Sequence, residues 1–178
     1  MKIRSILIFI LVVNLFTGYT QQLPTIDRMD LNLFAGLWYE VALYPVDSRN
    51  DCHCTTVEYE YIPGNRFFKS TTRCIQFHKG RPEMTVSHSK VISVSDANES
   101  KMKFQTTGPV RVTYEIIALT ADYNLAVIVN REKKNLSILS RDSFVPSFKY
   151  NEILKLIKDK GFNTSGIVKT PQNCDNIE

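Results

Sequence analysis

The residues of this 178-residue chain whose types and spacing could do chemistry are four cysteines, three histidines and a few carboxylates set among apolar residues. Cys52-His53-Cys54 invites a metal reading, because thiolates and imidazoles are the usual zinc ligands. His53, His78 and His88 do not fall at ligand spacing from the cysteine pair, so no metal site is expected. An even set (Cys52, Cys54, Cys74, Cys174) in an exported chain instead points to disulfides. Glu40 sits in the apolar run Trp38-Tyr39-Glu40-Val41-Ala42, and a carboxylate buried there must be paired or neutral. Tyr59, Tyr61, Tyr114 and Ser137 bring hydroxyls to otherwise apolar segments, where they could orient a polar head group.

Export is itself read from the N-terminus. Lys2 and Arg4 precede a nearly unbroken apolar run from Ile6 to Phe16, and Thr17, Gly18 and Thr20 follow. That layout is a secretory signal peptide over residues 1–20, too short to span a bilayer. Residues 21–178 are then a single domain that is soluble and extracellular, with no integral membrane association. The formal net charge of +4 includes Lys2 and Arg4, so the remainder carries about +2. Its cations are mixed with acids except at Arg131, Lys133 and Lys134, which excludes the basic stripe of a nucleic-acid binder. Of the sequons, Asn98 lies in a turn-like stretch and is the better glycan site, and Asn163 is intermediate. Asn135 faces inward by parity and is disfavoured.

The elements that must position these residues are strands. Runs over 36–44, 54–62, 67–77, 84–94, 101–106, 111–119, 123–130 and 135–140 are separated by turn residues such as Pro63-Gly64-Asn65 and Gly108-Pro109. Val57, Tyr59 and Tyr61 alternate with Thr56, Glu58 and Glu60, and Met102 and Phe104 with lysines and Gln105. Val112, Tyr114, Ile116 and Ala118 form one face; Trp38, Glu40 and Ala42 share another. Strands apolar on both sides need cover on both. Tyr150, Ile153, Leu154 and Ile157 recur at helical spacing after Pro146, and Gly161 ends that helix. One helix covers only two or three strands, so the first strand and the last two must be neighbours. The expected fold is all-β, an eight-stranded antiparallel up-and-down β-barrel with one C-terminal α-helix packed outside.

Gly36-Leu37-Trp38-Tyr39-Glu40, Thr120-Ala121-Asp122-Tyr123 and Ile138-Leu139-Ser140-Arg141 follow one another along the chain. Together, in that order, they resemble the motifs of the lipocalin family, nearest its bacterial outer-membrane and apolipoprotein D branch. The resemblance implies scaffolding, not catalytic, roles for Gly36, Trp38, Asp122, Tyr123 and Arg141: the indole plugs one end, Arg141 lies across it, and Asp122 braces the adjoining loop. The chain departs from that branch in lacking an N-terminal lipid-anchored cysteine, in Ala121, and in Ser137 where the branch usually carries Trp. Cys52 and Cys54 share outward parity, and a tail wrapping the outside could bring Cys174 to Cys54, the bond the resemblance also implies. Cys52–Cys74 would then remain, while Cys54–Cys74 with Cys52–Cys174 stays open.

The resemblance also implies a secreted carrier, a monomer or weak dimer with no cofactor, holding a fatty acid, lysophospholipid or similar lipid. The expected lining is Glu40, Val57, Tyr59, Tyr61, Met102, Phe104, Tyr114, Ile116 and Ser137. The rival readings are a lipid isomerase or synthase using a barrel cysteine, and a haem or bilin binder, for which no histidine has an interpretable axial position.

Overall fold

The computed structural model describes residues 29–44, 51–62, 67–94, 101–105, 111–130 and 135–174. The expected signal peptide over residues 1–20 and Asn98 lie outside the described residues. A four-residue helix, α1 (Leu31–Phe34), precedes β1 (Gly36–Leu43). Seven further strands follow: β2 (His53–Ile62), β3 (Phe67–His78), β4 (Arg81–Val94), β5 (Lys101–Gln105), β6 (Arg111–Leu119), β7 (Leu125–Asn130) and β8 (Leu136–Ser140). Helix α2 (Ser147–Asp159) and the two-residue β9 (Val168–Lys169) complete the order. Each strand from β2 to β7 pairs antiparallel with the next. β1 pairs with β2 through Gly36↔Tyr59 and Trp38↔Val57, and with β8 through Tyr39↔Ser140 and Leu43↔Ser137. The order of pairing therefore runs from β1 to β8 and returns to β1.

Apolar side chains gather on both sides of this sheet. The inner cluster joins Trp38, Phe34, Tyr59, Phe68, Ile116, Leu119, Ile128 and Leu139. The outer cluster lies beneath α2, whose Tyr150, Ile153, Leu156 and Ile157 pack on Ala42, Ala118, Val127 and Ile138. Leu156, not Leu154, completes the buried stripe; Leu154 is half-buried. Past the helix Gly161 takes φ +82°, and its amide and that of Phe162 satisfy the carbonyls of Lys158 and Ile157.

Three irregularities in register correct the simple parity reading. In β1, Glu40 is opposite Leu139 and Ala42 opposite Ile138, so Val41 is an extra residue. A bulge of one residue inverts every side chain beyond it. Ala42 consequently joins the outer cluster and not the face of Trp38 and Glu40. The same happens in β6, where Ile117 is extra: Ala118 lies under the helix, while Leu119 joins Ile116 inside. In β2 the shift between His53 and Thr56 coincides with Cys54 at φ +49°. Beyond it Cys52 takes the face of Cys74, to which it is bonded, and not that of Cys54.

Candidate functional site

The floor of the structure is built where α1 crosses the start of β1. Asp30 caps α1 by accepting from the amides of Asn32 (2.8 Å) and Leu33 (3.4 Å). The helix is too short to satisfy its own C-terminal carbonyls, and Arg141, from the residue after β8, does so instead. Its guanidinium donates to the carbonyls of Leu33 (2.8 Å), Phe34 (3.2 Å), Ala35 (2.8 Å) and Leu37 (2.6 Å). It also lies 3.8 Å from the centroid of the Trp38 ring. Burial lowers its pKa from the ordinary guanidinium value, yet the group stays charged. Gly36 is favoured here because its φ is +98°, a backbone conformation that strains any residue with a Cβ.

Trp38 is fully buried, and its indole N–H donates to the Phe34 carbonyl at 2.9 Å. Phe34 stacks in turn on Trp38 (5.2 Å), Tyr59 (5.1 Å) and Phe68 (6.0 Å), and Tyr61 meets Phe68 at 5.4 Å. The β6–β7 turn is tied to the same end. Thr120 donates to Asp122 (2.6 Å), the Asn124 amide and side chain donate to the same carboxylate, and the Asp30 amide donates to the Tyr123 hydroxyl at 2.7 Å. Chiefly the Thr120 bond holds the Asp122 pKa below its ordinary 3.8; burial opposes it next in size, and the Asn124 bonds and the charge of Lys149 add smaller lowering effects.

Glu40 is only 1% exposed, and Ser137 donates to its Oε2 at 2.6 Å. Thr55, also fully buried, continues the alternation of Val57 and Tyr59; its hydroxyl has no hydrogen-bond partner among the described residues. Of the expected lining residues, Val57, Tyr59 and Ile116 lie in the inner cluster with Trp38, and Tyr61 and Tyr114 border it. Met102 and Phe104 occupy β5 opposite Tyr114 and Val112. Phe34, Phe68 and Thr55 belong to the same interior but were not singled out by sequence. Phe67-Phe68 is aromatic at both parities, so alternation could not say which ring turns inward.

Outside this interior, the C-terminal tail fills the place where β1 and β2 part. β2 pairs with Gly36–Tyr39 of β1, and β9 pairs with Ala42 and Leu43. Between them Gln172 Nε2 donates to the carbonyls of Glu40 (2.9 Å) and Thr55 (3.2 Å). The Cys54 amide donates to Pro171, the Thr170 amide donates to Val41, and Cys54–Cys174 fastens the strap. The second disulfide is Cys52–Cys74, so all four cysteines are bonded. Among the described residues no group of three His, Cys, Asp or Glu side chains could hold a metal ion, and no helix is long and apolar enough to cross a membrane. Asn163 is exposed, and its Oδ1 accepts from the Ser165 amide and hydroxyl, both at 2.9 Å.

Residues 29–172, from the floor to the strap, match the family described as a lipocalin-like domain. The chain belongs to the lipocalin family. It is similar to the outer membrane lipoprotein Blc of Vibrio cholerae, at 22% identity over 156 residues, covering 87% of this chain and 90% of the relative. It is also similar to insecticyanin-B of Manduca sexta, at 39% over 46 residues. That match spans only 26% of this lipocalin and 22% of the relative. Among solved structures, lobster apocrustacyanin A1 has the same fold, with a TM-score of 0.62 at 16% identity over 85% of this chain and 91% of that one.

Proposed function

We propose that this lipocalin is a secreted carrier that holds one small hydrophobic molecule, a fatty acid, lysophospholipid or similar lipid, within a closed barrel. The observation that carries the reading is the cyclic strand order combined with an aromatic floor at one end. A sheet of eight strands that meets itself leaves an interior wide enough for a small ligand. Trp38, Phe34 and Phe68 fill its base, and Tyr61, Tyr114, Met102 and Phe104 stand on strands leading away from it. Transfer of an alkyl chain from water contributes about 0.8 kcal/mol per buried methylene. Glu40 and Ser137 supply the polar point against which a head group is oriented.

The engagement of all four cysteines in disulfides favours carriage over thiol-dependent isomerisation. The deciding experiment is native mass spectrometry of protein from its source, before and after solvent extraction, followed by rebinding of a fluorescent fatty acid. We expect a lost mass in the lipid range and saturable rebinding displaced by unlabelled lipid. Protein that carries nothing, and that once extracted binds no lipid, would overturn the reading. A thiol that titrates in the native protein would revive the isomerase.

A further inference from the structure

We propose that the outer part of β4 is an interface through which two copies of this lipocalin pair, strand edge to strand edge. β3 pairs with β4 along its whole outer length, from Lys69↔Lys90 to His78↔Arg81. On the other side, β5 reaches only Lys90, Val91, Ser93 and Val94. Among the described residues β5 ends at Gln105, which lies opposite Lys90 of β4 and Arg111 of β6. Arg81–Ser89 therefore overhangs, roughly 30 Å of strand at 3.4 Å per residue with one edge unpaired among the described residues. Such an edge presents a row of amide and carbonyl groups that another strand can satisfy.

Two features separate this edge from one that is merely solvated. Natural sheets guard free edges with charge or proline. Here Arg81, Pro82 and Glu83 crowd the turn, whereas Met84-Thr85-Val86-Ser87 carries neither. Secondly, the outward face of the hairpin is apolar. Phe77 stands opposite Pro82 and Ile75 opposite Met84, while Val86 faces Arg73, whose guanidinium is occupied by Glu58 at 3.0 Å. Met84, Val86 and Phe77 are 62%, 46% and 41% exposed, neighbours on one face.

The occupant is a second copy because the strand complements itself. A twofold axis through Thr85, perpendicular to the sheet, sets each Met84 opposite the other copy's Val86. It also sets Glu83 opposite Ser87 and Arg81 opposite Ser89, so no like charges meet. The two apolar strips become one, and the interface is isologous, the commonest form of dimer.

Sedimentation velocity across a concentration series tests this on the mature protein with its native disulfides. We expect a reversible dimer whose dissociation constant rises at least about tenfold in Met84→Lys and again in Val86→Lys. Thr85→Cys should form a disulfide-linked dimer on mild oxidation, since opposed Cα atoms lie about 4.5–5.5 Å apart. Ser87→Cys, opposed to Glu83, should not. Far-UV dichroism checks each variant's fold; if one lysine variant unfolds, the other and the cysteine pair still decide. A protein monomeric throughout, a dimer indifferent to both lysines, or a Thr85→Cys variant that does not link would each overturn the proposal.

Discussion

Arg141 does two jobs with one planar group: it satisfies the carbonyls closing α1 and covers the Trp38 ring. Lysine keeps the charge but lacks the fork. Arg141→Lys should therefore destabilise the protein by about 2–3 kcal/mol in urea unfolding, charged hydrogen bonds being worth roughly 1.5–3 kcal/mol each and not additive. Asp122 acts by a different route, accepting from Thr120 and Asn124. Its folded pKa lies below the ordinary 3.8, so its contribution is fully present above the unfolded value and is lost as pH falls through the folded one. Asp122→Asn should lower the melting temperature modestly at pH 7 and flatten the acid side of its pH profile. A variant whose acid limb parallels the parent's below pH 4 would show that this carboxylate is not responsible.

At the level of elements, the bulges at Val41 and Ile117 place Ala42 and Ala118 under α2. Without them the two strands would aim different side chains at the helix. Ala42 is fully buried against the side chains of α2. Ala42→Leu should cost about 1–3 kcal/mol by overpacking, while an isosteric change on the exposed face of α2 should cost almost nothing. Thermal unfolding of the pair measures this. The bulges also mark where sequence reading stops. Alternation made the strands legible, since Glu58, Glu60 and the β5 lysines label one face unambiguously. Val41 and Ile117 lie in runs apolar on both sides, where an inserted residue leaves no polar label out of step. α1 and β9 were invisible for another reason: four and two residues are shorter than any periodicity. Within the interior, Glu40 and Ser137 were legible as inward-facing, but their bond depends on the β1–β8 register, which only folding fixes.

For the whole molecule, the weak line is the gap where β2 leaves β1, beside Glu40 and Thr55. Only the tail spans it among the described residues, through β9, Gln172 and Cys54–Cys174. The disulfide closes a loop with a sequence separation of 120, for which chain entropy gives about 4–5 kcal/mol. That effect belongs to the unfolded chain and does not by itself change how fast a bound molecule leaves. The Gln172 bonds belong to the folded state, so on the proposed carrier reading it is they that would hold this gap shut. Replacing both Cys54 and Cys174 by serine should therefore lower stability by about 2–5 kcal/mol. Gln172→Ala should lower it by only about 1 kcal/mol and yet speed lipid release measurably in stopped-flow displacement. If release is unchanged in Gln172→Ala, the strap is a staple for the fold alone, and cargo leaves without using the gap between β1 and β2.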